Sequence, residues 1–341
     1  MILLLIALLF ICLWRISFHR FNEGFLSKAT TTAVKGVFVV LIFCSHIREF
    51  MVLSPQWWNT SYTTILDHLG QLIVAVFFLY SGYGIWESLK RKPDYPQHFF
   101  KNRFLKTLFH FDVAVLLFII VQLFIPITYS AKRYVFCWIG WESVGNYNWF
   151  IFVILVLYLI ALTALLLQQR KTFGGIWLTV LLTAGLWAWL NFIMHKPAWW
   201  IDTMAAFPLG MVLSRYKDSV TGALEQLPRH ILITVISLVF MGIIHMEFGL
   251  DIYGLAACAF CCLIVVLTSW INIGNPALAW LGKNAFTIFI IQRLPMIVLS
   301  SAGIDQFPAL FVMLSLALTL LLAEGLSRLY LLIDKRLFAY A

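Results

Sequence analysis

Lys35 and His46 enclose ten mostly apolar residues, GVFVVLIFCS, and Arg48 and Glu49 follow the histidine. On a helix rising 1.5 Å per residue the two are about 16 Å apart, half the depth of a hydrocarbon core. With Lys35 at one membrane face, the imidazole lies near mid-membrane. Glu49 follows three residues later, on the same helix face. Two chemistries fit an imidazole at that depth. It can handle protons or contact substrate, the default reading of an intramembrane ionisable group, or it can hydrogen-bond a neighbouring helix and hold the bundle together.

Other residues carry chemistry of the same kind. Residues 77–84 read FFLYSGYG; Ser81, Gly82 and Gly84 let helices approach closely, and Tyr80 and Tyr83 offer hydroxyls. Arg103 and Lys106, spaced i, i+3, share a helix face and suit an anion such as phosphate, whereas Lys90 to Lys92 read as membrane-face anchors. Gln292 and Arg293 fall in an apolar run just before Pro295, where a kink is expected. An arginine at that depth needs a carboxylate or an aqueous cavity. Asp112 and Glu324 also lie in apolar runs and each needs a partner. Asn146, Asn148 and Trp149 open another run. Trp57, Trp58, Trp138, Trp141, Trp199 and Trp200 read as an interfacial belt, some of them placed to stack on sugar rings.

The elements that position these groups follow from composition. Of 341 residues, 62% are hydrophobic and 11% charged, against roughly 45–50% and about 25% in ordinary soluble domains. The sequence therefore predicts an all-α polytopic membrane protein. Apolar runs suggest about eleven spans, near 2–18, 33–53, 66–89, 104–127, 148–168, 173–194, 199–214, 230–246, 250–271, 278–300 and 307–332. With that count, all Lys and Arg except Arg48, Lys132, Arg133, Lys196 and Arg293 fall on one side. The positive-inside rule then puts the N-terminus outside and the C-terminus in the cytoplasm, with Lys35 at the cytoplasmic face. The net charge of +9 is explained by this topology and does not call for nucleic acid. The opening run MILLLIALLFICLW lacks a basic flank before it and reads as an uncleaved first helix. Cys258, Cys261 and Cys262 sit among hydrophobes without nearby histidine or carboxylate, so they read as packing and not as a metal site. There is no internal repeat of the sort that marks many transporters.

Taken in order, these pieces resemble the acyltransferase-3 family of integral membrane acyltransferases. Lys35 and His46 match its basic residue and histidine separated by ten residues, with lysine for the usual arginine. Phe77, Phe78, Ser81, Gly82 and Tyr83 match its F-F-x-x-S-G-Y segment, and Arg103 and Lys106 its R-x-x-R motif. Trp149 and Phe150 resemble a W-F helix opening. NAFTIFIIQRLP resembles S-Y-x-I-Y-L-x-H-x-P, with Gln292 or Arg293 where a histidine often stands. Ser327 to Asp334 resembles the closing S-x-x-Y-x-x-x-E, with aspartate for glutamate. The resemblance covers residues 33–336 and divides the chain into an additional N-terminal helix and loop (1–32) and a family domain (33–341). It implies transfer of an acyl group, commonly acetyl from acetyl-CoA, to a hydroxyl of an extracytoplasmic or lipid-linked carbohydrate at a bacterial plasma membrane. His46 would be the general base with Glu49 beside it. Lys35, Arg103, Lys106, Ser81 and Tyr83 would bind the donor, and Asn148, Trp149, Gln292 and Arg293 the acceptor. The competing class is a transporter or flippase for a glycan intermediate or small solute, with His46 and Glu49 along its pathway.

Overall fold

The structure, a computed structural model, describes residues 1–125, 127–169, 174–247 and 253–338, the side chains of 168, 169 and 243–247 excepted. Arg170 and Lys171, counted above with the basic side, and the adjoining ends of the spans expected at 104–127, 173–194 and 250–271 lie outside these residues. The helices are α1 (Ile2–Leu13), α2 (Lys28–Ile47), α3 (Trp57–Leu69), α4 (Leu72–Arg91), α5 (Tyr95–Phe99) and, after a π-helical turn over Phe100–Leu105, α6 (Lys106–Gln122). There follow α7 (Ala131–Phe136), α8 (Trp149–Gln169), α9 (Gly175–Ala188), α10 (Ala206–Arg215), α11 (Lys217–Glu225) and α12 (Leu227–Glu247). The last are α13 (Tyr253–Trp270), α14 (Pro276–Lys283), α15 (Ala285–Ile291), α16 (Arg293–Ser301) and α17 (Pro308–Leu337). A two-residue antiparallel pair, β1 (Ser17–Phe18) with β2 (Ile271–Asn272), fastens the loop after α1 to the end of α13.

Helix dominates because a chain crossing lipid must satisfy its backbone hydrogen bonds within each segment. Among the described residues, seven helical stretches are long and apolar enough to span a bilayer, or up to nine when each of two bent pairs counts as one. Their outer faces expose Leu116, Ile120, Leu232, Ile236 and Leu321, the surface a bilayer covers. The chain is a multi-pass, all-α membrane protein. The runs expected at 2–18 and 199–214 form short helices, of 12 residues in α1 and 10 in α10. The first stops early because Trp14 is extended and Arg15 takes a left-handed φ of 60°, turning the chain toward β1.

The helices that frame the interior are set by close backbone approach. A Cβ added to Gly82 of α4 would collide with the Phe207 carbonyl at the start of α10, and one on Gly210 with the Leu79 carbonyl. Gly36 of α2 and Gly282 of α14 abut the carbonyls of Leu278 and Thr32 in the same way. α2 begins at Ser27, whose hydroxyl accepts from Thr30 N at 3.2 Å. α14 begins at Asn275, which accepts from Leu278 N at 2.9 Å, with Pro276 in the first turn. From α14 to the α15–α16 stretch the axis bends by 59° at Asn284, which no proline causes. The kink expected near Pro295 takes the form of an interruption at Gln292, within reach of that ring's effect on the preceding turn. Gly82→Ala should lower stability by about 1–3 kcal/mol through overpacking. Gly84→Ala, whose Cβ meets nothing within 4 Å, should be neutral or slightly stabilising; thermal unfolding of the two purified variants in one detergent checks the contrast.

Candidate functional site

A cavity of about 640 Å³ opens between α2, α4, α6, α8 and the α14–α15 bend, a volume typical of small-molecule and cofactor sites. Along α4 its lining runs from Val74 to Arg91, about 26 Å at helical rise, so the space is long as well as large. One end carries Lys28, Lys35, Arg91, Arg103 and Lys283, with Glu87 as the carboxylate among them. The other end is apolar, walled by Ile42, Val74, Phe77, Phe150 and Phe289. Phe150, Ile154 and Tyr158 recur every fourth residue and lay one stripe of α8 along it. Cations concentrated at one mouth, with apolar walls beyond, suit an elongated ligand with an anionic head.

The side chains at the mouth are held by their neighbours. Lys35 lines the mouth together with the cations Arg103 and Lys28. The Arg103 Nε donates to the Tyr95 hydroxyl at 3.0 Å. Glu87 accepts from the Ser214 hydroxyl at 2.7 Å and from Lys90 at 3.1 Å, and Arg91 stands 3.4 Å from its second oxygen. Deeper in, Ser81 Oγ and the Tyr158 hydroxyl are 3.1 Å apart, and Tyr83 lines the wall.

The structure separates Arg103 from Lys106. The Lys106 ammonium lies 2.6 Å from Asp334 of α17, which also meets His110 Nε2 at 2.9 Å. Lys106 does not line the cavity. The reason is local: residues 100–105 wind as a π turn, so the i, i+3 face shared on an α-helix is lost across it. Ser327 donates to Thr287, Tyr330 to the His110 carbonyl, and the Tyr330 ring stacks on His110 at 4.0 Å. The closing motif thus docks α17 onto α6 and α15.

His46 stands on α2 four residues, one turn or about 6 Å, beyond Ile42 at the apolar end of the cavity. It is half-buried. Its Nδ1 is 3.1 Å from the side-chain amide of fully buried Gln292, and its ring lies 4.6 Å from Tyr147 and 6.4 Å from Phe289. Glu49 does not reach the imidazole. α2 ends at Ile47 and Arg48–Phe50 tighten to a 3-10 turn, which aims Glu49 at Arg293 Nη1 (2.8 Å) and the Tyr147 hydroxyl (2.5 Å). Arg293 also donates to the Gly145 carbonyl at 3.0 Å and lies 4.1 Å from the Tyr147 ring centroid. Burial and the Glu49 contact push the Tyr147 hydroxyl up to about 12, so it stays a donor across the working pH range. Asn148 donates to the Glu142 carbonyl and Trp149 packs in the core; both brace the loop that presents Tyr147.

Of the residues singled out in the sequence, Lys35, Ser81, Tyr83 and Arg103 therefore share the cavity, and His46, Gln292, Arg293 and Glu49 form a cluster past its apolar end. Tyr147, Lys28, Arg91 and Lys283 were not anticipated. Asp112 Oδ1 is buried with no hydrogen-bond partner among the described residues, while Glu324 accepts from Trp280 Nε1 and Arg328. No group of three or more His, Cys, Asp or Glu among the described residues could hold a metal ion.

Fold and cavity define a multi-pass membrane protein with a cation-lined cavity whose apolar end lies one helical turn from a histidine. The acyltransferase-3 family model, an acyltransferase domain, matches residues 31–327, most of the chain, and the protein belongs to that family of membrane acyltransferases. No curated protein and no solved structure matches it. In the double-mutant cycle of Lys106→Ala with Asp334→Ala, the coupling should be about 0.5–3 kcal/mol. It would be read from denaturation of purified protein, and it should appear in stability rather than in ligand affinity.

Proposed function

We propose that the protein moves an acyl group, acetyl first among candidates, from cytoplasmic acyl-CoA to a hydroxyl of an extracytoplasmic or lipid-linked carbohydrate at the plasma membrane. The observation that carries this reading is the alignment of a cation-lined mouth, a long cavity and His46 along one path, in a chain of the acyltransferase-3 family. Acyl-CoA carries its phosphates on a nucleotide head, from which a slender arm runs to the thioester. Lys35, Arg103, Lys28, Arg91 and Lys283 would hold the phosphates, and the arm would lie against Ser81, Tyr83 and Tyr158. The topology of the positive-inside rule puts that mouth in the cytoplasm and the Glu49 side outside.

In this reading His46 takes the acceptor's hydroxyl proton as the oxygen attacks the thioester carbonyl. The new C–O bond forms, the C–S bond breaks, and the proton passes from the imidazole to the departing sulfur, releasing the thiol. Gln292 decides whether the ring can act. With its amide nitrogen toward Nδ1, the ring's lone pair is occupied and Nε2 carries the proton. With its carbonyl toward Nδ1–H, the Nε2 lone pair is free and the ring is a base. The structure holds the first arrangement, with Gln292 Nε2 3.1 Å from Nδ1; turning the amide over gives the second, which is the productive one. Arg293, fixed by Glu49 and the Gly145 carbonyl, supplies positive charge close to where the tetrahedral oxyanion develops.

His46→Ala should retain coenzyme A affinity and lose transfer by roughly 10²–10⁴, measured as thiol release with acetyl-CoA and a carbohydrate acceptor. Lys35→Ala and Arg103→Ala should each weaken coenzyme A binding by about tenfold or more, the scale of a charge-assisted hydrogen bond. Full activity in His46→Ala would remove the base from the mechanism. Unaltered affinity in both cation variants would remove the donor site.

A further inference from the structure

An aromatic pair lines the apolar end of the cavity, and one of its rings neighbours the histidine. Phe289 and Phe150 both line the apolar end, and their rings meet edge to face with centroids 5.3 Å apart and planes at 72°. Phe289 also lies 6.4 Å from the imidazole, which does not itself line the cavity. The two rings are not held alike. Phe150 is buried and braced by Phe78 at 4.7 Å and Phe77 at 6.5 Å. Phe289 is only half-buried and is the ring of the pair that neighbours His46.

This inference rests on the acyl-transfer reading and deepens it. For transfer, the thioester carbonyl has to come within roughly 3–3.5 Å of the acceptor oxygen that His46 deprotonates. The acyl group attached to that carbonyl must then fit beside or beyond the aromatic pair. We infer that Phe289, backed by the fixed ring of Phe150, sets the size of the acyl group this enzyme accepts, admitting acetyl and excluding chains of medium length. The same ring shields the thioester from water on the His46 side. Water reaching it would form the C–O bond in the acceptor's place, break the C–S bond and leave free acid and coenzyme A thiol.

The test compares binding of acetyl-CoA and octanoyl-CoA by calorimetry to the full chain in lipid nanodiscs, for wild type, Phe289→Ala and Phe289→Leu. Wild type should favour acetyl-CoA by at least about tenfold, the discrimination an apolar pocket achieves against extra methylenes. Phe289→Ala should bring the ratio to unity or reverse it, and Phe289→Leu should fall between. Thiol release from acetyl-CoA without acceptor should rise in Phe289→Ala. The ratio within one preparation does not depend on the fraction folded, so lost stability cannot imitate the result. If the alanine variant fails to purify, the leucine variant carries the same sign. A ratio unchanged in variants that bind coenzyme A overturns the role of Phe289 and leaves acyl transfer standing. Failure of wild type to bind any acyl-CoA overturns the donor reading itself.

Discussion

An ionisable side chain within a bilayer persists only where protein partners or water reach it, and that constraint explains where this chain puts its charges. The cations of the cavity mouth face an internal space instead of lipid. Lys106 and His110 of α6 converge on Asp334 of α17. Arg293 at the start of α16 reaches back to Glu49, just past the end of α2, and to the loop carbonyl of Gly145. Each of these contacts joins elements far apart in sequence, so the groups that need partners also fix how the helices stand against one another. His46 is consequently contacted from several directions, by Gln292 from α15–α16 and by Tyr147 from the loop before α8, and Glu49 in turn holds Tyr147 and Arg293.

Much of this was legible in the sequence where the controlling physics is local. The spacing of Lys35 and His46 needs only the helical rise, and both fall on one uninterrupted helix. Apolar runs located helices because lipid imposes the same requirement on each, but of the eleven suggested spans seven to nine stretches among the described residues are long and apolar enough to cross. What failed to show was anything that depends on how a helix ends or winds. Arg103 and Lys106 share a face only on an α-helix, and the π turn between them sends one to the cavity and the other to α17. Glu49 sits over His46 only if α2 continues, and it stops at Ile47. Arg91 belongs to a basic cluster that reads as an anchor; only the packing of α4 reveals that it rims the cavity. Tyr147 carried no periodic signal because it lies in a loop, and its role arises from three partners that the sequence does not bring together.

The departures from the family pattern acquire physical content in the structure. Lysine at positions 35 and 106 keeps a positive charge but gives up the planar fork of arginine. At 106 nothing bidentate is needed, since a single ammonium meets one oxygen of Asp334 while His110 takes the other. At 35 the charge stands beside Arg103, which retains the fork, and both line the cavity. Gln292, one of the two residues standing where the family often has a histidine, faces His46 with an amide that offers either a donor or an acceptor and adds no second titratable group beside the ring.

The segment FFLYSGYG shows how little sequence such a site requires. A helix turns about 100° per residue, so adjacent positions face different surroundings. Gly82 presses its backbone onto the Phe207 carbonyl and leaves no room for a side chain, which draws α4 against α10. Gly84, two residues on, has nothing within 4 Å of its Cβ position and lines the cavity together with Tyr80, Ser81 and Tyr83. Gly36 and Gly282 draw α2 against α14 in the same manner, while Lys35 beside Gly36 turns into the open space. Close contact on one face of each helix and space on the other thus come from neighbouring residues. The cavity follows because α2 and α4 are each seated on a different partner, α14 and α10.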